Sequence, residues 1–393
     1  MGYLLSSKSS LIPLIDRLNL YPIGLVDSDK LREILAILFT EQEAFIASKF
    51  PLEEATLDEL SRLTELDESN LQPQLESMAN KGLVMDLPYS GTSYYLLMPG
   101  LIGFMEFTFM RNRTDLPMKK LATMMSEYLV ENGPKGQAGE FFGSKTQLTR
   151  ALVYKEHIPT DSQITQYEDA QQIIKQADFC AVTHCYCRHK KEHLGKNCRK
   201  GAPVEETCMV LGSGARFLVR RGFAKEKTKE ELLETLAKAK SLNLTHVTDN
   251  IRSQPSFICN CCRCCCELMA GVQMGFQDGL AKTPFIAVVD EGLCDYCGDC
   301  LKTCNVKCIG LPKDRRTKLK SDRRAKIDPE VCLGCSACIS VCEKEAISFV
   351  PREDYRIPPK NKGRMFTRIL WEKGRLSPFV VSRIKRKLNA FIR

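Results

Sequence analysis

Between residues 31 and 98 the hydrophobic positions keep first a helical and then a strand period. In LREILAILFTEQEAFIASKF apolar residues recur every three to four positions, which predicts a helical pair; TLDELSRLTEL predicts a short third helix, and DESNLQPQLESMANKG a fourth that Gly82 ends. LVMDL and SYYLLM, on either side of the turn PYSGTS, predict a two-stranded hairpin. PGLIGFMEFTFM (99–110) is apolar but too short to span a bilayer. In the helix that follows, Leu121, Met124, Met125, Tyr128 and Leu129 form a stripe, the pattern of a core face rather than a cofactor site. NGPKGQAGEFFG (132–143) reads as a linker, and GSGARF (212–217), which completes neither a dinucleotide fingerprint nor a P-loop, as a turn. TKEELLETLAKAK predicts a helix with Thr228 as N-cap and Glu231 completing a capping box. The chain ends in SPFVVSRIKRKLNAFIR, a basic amphipathic helix opening at Ser377 and Pro378, with Val381, Ile384, Leu388 and Phe391 on one face.

The order of helices and hairpin over 31–98 resembles the MarR-like winged helix-turn-helix family. That resemblance implies DNA binding or, on the same scaffold, a protein-interaction or dimerisation module. Charge favours the second. Residues 1–110 carry seven Lys/Arg against sixteen Asp/Glu, a balance of −9, so the rest of this +9 chain carries +18. The helix that would enter DNA opens on Asp67 and Glu68, with only Lys81 near its end, whereas phosphate contacts need Lys and Arg.

All twenty cysteines fall between Cys180 and Cys342. The start MGYLLSSKSS lacks the basic and apolar regions of a signal peptide, and no apolar run is long enough for a membrane span. The reading is cytoplasmic, where clustered cysteines favour metal or redox chemistry over disulfides. CDYCGDCLKTC and CLGCSACISVC are two C-x2-C-x2-C-x3-C runs offset by 38 residues: Cys294, Cys297, Cys300 and Cys304, then Cys332, Cys335, Cys338 and Cys342. The match continues outside the cysteines, VDEGLC with IDPEVC and CIGL with AISF, and marks an internal duplication.

The segment 286–350 resembles a bacterial-type ferredoxin domain with two [4Fe–4S] clusters. The resemblance implies crossed ligation: Cys294, Cys297, Cys300 and Cys342 on one cluster, Cys332, Cys335, Cys338 and Cys304 on the other. Asn305 and Glu343 stand where that family has proline after the fourth cysteine. Cys308 aligns with Ala346 and reads as a small buried hydrophobe. Between the runs, KDRRTKLKSDRRAK (313–326) reads either as a docking loop for an acidic redox partner, the acidic N-terminal module among the candidates, or as a solvated loop.

Upstream lie eleven further cysteines: Cys180, Cys185, Cys187, Cys198 and Cys208, then six in ICNCCRCCC (258–266), namely Cys259, Cys261, Cys262, Cys264, Cys265 and Cys266. Each segment alone is an incomplete ligand set. A site assembled between them, from Cys185, Cys187, Cys198, Cys208 and the six, is a candidate for one or two additional iron–sulfur clusters; zinc or redox-active thiols are the alternatives. His184, His189 and His193 read as surface residues rather than ligands. Chains with such CNCC-type blocks ahead of a dicluster ferredoxin domain are similar to iron–sulfur proteins of anaerobic prokaryotes.

The fold class expected is α+β and multidomain: a winged-helix-like module with helical extension (1–131), a linker region (132–170), a cysteine-rich metal or cluster domain (171–285), a ferredoxin-like dicluster domain (286–350) and a basic tail (351–393). The function expected is electron transfer, as a carrier or oxidoreductase subunit. Two alternatives stay open: a redox-responsive regulator using the winged helix, and an enzyme whose catalytic centre is the middle cysteine site. Homodimerisation and a tail that packs on the protein or a partner, with peripheral membrane contact as its alternative, complete the expectations.

Overall fold

The computed structural model describes residues 11–158, 166–310, 324–381 and 384. Most of the basic loop 313–326 and the tail's Leu388 and Phe391 lie outside the described residues.

Helices α1 (Ile12–Leu18), α2 (Asp29–Leu38) and α3 (Glu41–Lys49) are followed by β1 (Ala55–Thr56), α4 (Leu57–Thr64), α5 (Glu68–Lys81), β2 (Val84–Tyr89) and β3 (Thr92–Leu97). The strands pair antiparallel in the order β1–β3–β2. Hydroxyls start the helices: Ser28, Thr40 and Thr56 each accept a first-turn N–H, and Thr40 with Glu43 forms a full capping box. Gly82 ends α5 in the left-handed conformation (φ 79°), and a Cβ there would press on Phe107 and Phe223. The hairpin turn is shorter than PYSGTS suggested. Ser90 and Gly91 both take positive φ (48° and 80°), the geometry of a tight two-residue turn, so the ladder extends to Tyr89 and Thr92.

The stripe of α6 (Met118–Val130) is core, with Leu121, Met124, Met125 and Tyr128 buried. The segment expected as a linker is packed structure instead. It contains α7 (Gln137–Phe142), whose Gln137 is buried and whose Glu140 accepts from the Gly24 N–H (2.8 Å) and pairs with Lys373 (2.8 Å) and Arg375 (2.7 Å). Its glycines allow close approach rather than flexibility: a Cβ on Gly139 would lie 1.8 Å from the Pro134 carbonyl oxygen. β4 (Thr149–Ala151) then forms one edge of the central sheet.

That sheet is built from β4, β5 (Cys180–Thr183), β6 (Cys208–Leu211), β7 (Ala224–Glu226), β8 (Thr245–Asp249) and β9 (Phe257–Cys261), in the order β4–β8–β9–β6–β5–β7 with every pair antiparallel. The helices among these strands are α8 (Ala170–Gln176), α9 (Tyr186–His193), α10 (Gly212–Arg220), α11 (Lys229–Ser241) and α12 (Glu267–Gln273). GSGARF is not a turn but the opening of α10; its apolar spacing continues past the glycines, burying Ala215, Phe217 and Leu218. α11 starts with the expected reciprocal bonds, Thr228 N–H to Glu231 (2.8 Å) and Glu231 N–H to the Thr228 hydroxyl (3.2 Å).

The N-terminal helices and the sheet share one apolar core through Phe104, Phe107, Phe217 and Phe223. Charge closes the same seam. Arg221 bridges Asp86 of β2 (2.9 Å) to Glu76 of α5 (2.9 Å) and donates to Asn80 (2.9 Å).

In the C-terminal part β10 (Phe285–Val289) pairs antiparallel with β13 (Ile347–Pro351), enclosing α13 (Asp299–Thr303) and the short pair β11 (Ile309–Gly310) and β12 (Lys326–Ile327). The 38-residue repeat is visible in the backbone. Asp290 N–H donates to Ala346 O (2.7 Å) and Asp328 N–H to Cys308 O (2.8 Å), so each copy bonds the other at corresponding positions. Left-handed residues correspond too: Tyr296 with Gly334, Gly298 with Ser336, Lys307 with Glu345. α14 (Lys362–Glu372) then packs Met365 and Ile369 on Ile23 and Ile251. Beyond it residues 376–381 are helical, and Val380, Val381 and Ile384 are exposed. Among the described residues no helix is long and apolar enough to cross a membrane.

Candidate metal centres

The two copies of the repeat wrap two cavities. Cys294, Cys297 and Cys300 line the first together with Cys342; Cys332, Cys335 and Cys338 line the second together with Cys304. The short intervals place three thiols of each run around one cavity, while the fourth thiol, after a turn of helix, reaches the neighbour. Gly334 permits the tight loop: its φ is 71°, and a Cβ would fall 2.0 Å from the Thr283 hydroxyl and 2.2 Å from the Phe285 carbonyl oxygen. Four convergent thiols per cavity are the donor set a cubane requires. Residues 293–346 match the 4Fe-4S dicluster domain family. The match covers the duplicated unit, and no solved structure matches the chain. The protein is thus an iron–sulfur protein with a C-terminal dicluster domain, which implies two clusters.

Two residues of this domain differ from expectation. Cys308 is buried, but not as a bystander: its Sγ lies 3.5 Å from that of Cys304 and it also contacts Cys332, making it a fifth thiol at the second cavity. Asn305, in the place of the family's proline, is only 1% exposed and forms a clasp to the central sheet. Its amide donates to Asn243 O (2.9 Å) and the Thr245 hydroxyl (2.9 Å), and its oxygen accepts from the Arg263 N–H (3.2 Å). The Thr245 hydroxyl in turn donates to Cys335 Sγ (3.3 Å). Glu343, the corresponding residue of the second copy, is exposed.

Ten of the eleven upstream cysteines separate into two groups. Cys198, Cys262, Cys264 and Cys265 converge with all four Sγ atoms within 4.8 Å of one another, as a metal site would require. The contacts are 3.6 Å for Cys198–Cys262, 3.7 Å for Cys198–Cys264 and 3.6 Å for Cys262–Cys264, and the Arg199 N–H donates to Cys264 Sγ (3.3 Å). Three of these thiols come from the turn after β9 and the fourth from the loop after α9, so chain segments about 64 residues apart complete the set. This group sits against the dicluster domain: Lys200, two residues from Cys198, donates to Thr303 O (3.0 Å) and Asn243 O (2.7 Å).

Cys185, Cys187, Cys208, Cys259, Cys261 and Cys266 are not part of that set. They gather around the neighbouring ends of β5, β6 and β9 and the starts of α9 and α12, in the apolar core shared with the dicluster domain. Arg188, 2% exposed, lies against both groups and donates to Asn260 O (2.6 Å). Burial works against its charge, but the thiolates of Cys185, Cys208, Cys262 and Cys198 outweigh burial and raise its pKa. Cys180 faces away from both groups, in the apolar layer formed by Ile173, Ile174 and Leu232.

The histidines are not surface residues either. His189 is buried, its Nδ1 2.8 Å from Phe109 O, and its ring lies 5.5 Å from that of His184 and 4.7 Å from that of His193. Burial lowers the pKa of His184 and His193.

Proposed function

We propose that the chain is an electron-transfer protein, a carrier or oxidoreductase subunit, in which two cubanes and a third cluster at Cys198, Cys262, Cys264 and Cys265 form one conducting path. The ligand sets proposed for the cubanes are Cys294, Cys297, Cys300 and Cys342, and Cys332, Cys335, Cys338 and Cys304. The observation that carries the reading is the run of hydrogen bonds from the Cys262–Cys265 turn through Arg263, Asn305 and Thr245 to Cys335 Sγ. Polar links of this kind at cluster sulfur also tune potentials.

The N-terminal unit we read as a winged helix that serves as a mount. Its α5, the helix that would enter a DNA groove, is engaged through Glu76 and Asn80 by Arg221 of the central domain. An acidic helix already paired with arginine within the chain suits a protein-facing role better than phosphate recognition. The redox partner is proposed to be an acidic protein surface meeting the basic loop.

The test is stepwise anaerobic reduction of the full chain, followed by EPR with parallel iron and acid-labile sulfide counts. The reading expects about twelve irons in three cubanes, each taking one electron, before any further site is counted. Reducible signals from the dicluster domain that never equilibrate with a middle cluster would refute the single path, and fewer than about eight irons would refute the dicluster ligation. Cluster-dependent binding of promoter DNA at low salt would favour the regulator instead.

A further inference from the structure

Eight cysteines remain once the two cubane sets and the Cys198 set are assigned; Cys180 and Cys308 stand apart, and the other six form a closed circuit. Cys185 neighbours Cys187 and Cys208; Cys208 neighbours Cys259; Cys259 neighbours Cys261; Cys261 neighbours Cys266; and Cys266 returns to Cys187. Every thiol thus has two thiol neighbours, unlike Cys308, which stands as a fifth thiol beside a complete set of four. Five of the six are no more than 8% exposed and the sixth, Cys259, is half-buried.

The fold explains the ring. Cys259 and Cys261 are alternate residues of β9 and share a face, with Asn260 turned to the opposite side, where it meets His246 Nδ1 (2.6 Å) and Thr207 O (2.7 Å). Cys208 opens β6, paired with Thr183 at the end of β5, and so stands beside Cys185 two residues later. Cys185 is the N-cap of α9 with Cys187 in its first turn, and Cys266 is the N-cap of α12. The circuit divides into two triplets, Cys185–Cys208–Cys259 and Cys187–Cys266–Cys261. Each triplet takes one member of each Cys-x-Cys pair.

We propose that these six cysteines hold a single eight-iron cluster made of two cubanes joined through one bridging sulfide, three thiolates capping each half. The ligand count narrows the cluster class. One cubane has four iron corners and would strand two buried thiols. Two cubanes linked by a sulfide between one iron of each leave three free corners on each half, one per thiolate. A single zinc, with a closed set of four ligands, also leaves two over, whereas two zincs sharing bridging thiolates would use all six and are distinguished by metal content. The surroundings suit an anionic group of this size. Lys190 and Arg188 are both 2% exposed, Lys190 paired with Glu267 and Arg188 lying beside Cys185 and Cys208. Arg188 Nε is buried and has no hydrogen-bond partner among the described residues, a donor that a cluster sulfur would satisfy.

The site takes no ligand from the dicluster domain, so the two readings can fail separately. The test is iron and acid-labile sulfide counting with Mössbauer spectroscopy on the full chain purified without oxygen. The wild-type protein is expected to hold about twenty irons: eight in the dicluster domain, four at the Cys198 set and eight in the ring. Zinc at about two per chain in place of ring iron overturns the proposal without any variant. In the paired variants, Cys208→Ser with Cys266→Ser removes one thiol from each triplet and is expected to cost about eight irons, while Cys198→Ser with Cys264→Ser costs about four. Dicluster EPR signals retained in both variants show that the chain has folded. Loss of only four irons, or of none, from the ring variant overturns the proposal. Should the dicluster assignment alone be wrong, the ring variant would still lose about eight irons.

Discussion

Asn305→Pro restores the residue that the ferredoxin family carries after its fourth cysteine, and it separates the shape of that turn from the clasp Asn305 forms. The residue before it suits the change: Cys304 has φ −55° and ψ 121°, the extended conformation a pre-proline residue prefers. What is lost is the side chain, with its bonds to Asn243 O, the Thr245 hydroxyl and the Arg263 N–H. At about 1 kcal/mol net per bond the loss is about 3 kcal/mol, rising toward ~5 kcal/mol if water cannot reach the orphaned Arg263 N–H and Asn243 O. In a cooperative unit of about 200 residues each kcal/mol moves the midpoint by about 2–4 °C, so an anaerobic melt of the cluster-loaded chain should shift down by roughly 6–12 °C. Iron in the dicluster domain should stay at the wild-type level, because no ligand has moved. An unchanged melt with full iron would refute the clasp. Early loss of iron from the Cys332 cluster would instead make the turn itself the sensitive element.

Other substitutions probe separate parts of the molecule. Cys342→Ser should disturb the cluster on the Cys294 side while sparing the other; EPR that shows the reverse would refute crossed ligation. Glu140→Ala should destabilise by about 2–4 kcal/mol, through loss of a partly buried carboxylate shared by Lys373, Arg375 and the Gly24 N–H, with faster proteolysis near 373–381 as the readout. Burial opposes ionisation of Glu140, but Arg375 and Lys373 hold its pKa below the usual value, so this contribution is complete above about pH 5 and fades as pH falls through the lowered pKa. Glu106 behaves oppositely. Burial raises its pKa to about 7, so the native state holds a proton that the unfolded chain releases near 4.5, and stability falls between pH 4.5 and 7. Glu106→Gln should therefore be neutral near pH 4 and stabilising by up to ~3 kcal/mol at pH 8, read from urea midpoints at both values; equal midpoints at pH 8 would refute it.

The parts of this protein that sequence reveals are those written in local spacing. The 38-residue offset, the C-x2-C-x2-C-x3-C runs and the capping boxes at Thr40 and Thr228 depend on neighbours a few positions away, and their geometry appears where the spacing placed it. The partition of ICNCCRCCC does not. Cys261 and Cys262 are adjacent yet join different groups, because one still lies in the β9 ladder and the next begins the turn. Which partners they meet depends on β6 pairing with β9 and on the return of α9, contacts made across some fifty to seventy residues and invisible to periodicity. The stretch 132–143 misled for a related reason: glycine marks close approach as readily as flexibility, and only the backbone neighbours at Glu131, Pro134 and Gly139 decide which. Asn305 carried its signal openly, as a polar residue in a proline's place. The sheet it would grip could not be known from the turn alone.

The repeat also gives the dicluster domain an inside and an outside. The two copies are alike in ligand spacing, but Asn305, next to Cys304 of the second cavity, grips the sheet, while Glu343, next to Cys342 of the first, is exposed and Cys297 is the exposed thiol of that first cavity. A symmetric pair of clusters has no intrinsic direction for an electron. Anchoring one cavity supplies it: under the proposed electron-transfer role, charge would enter at the solvent-facing first cavity and leave through the anchored second, and a partner would need only one face of the domain.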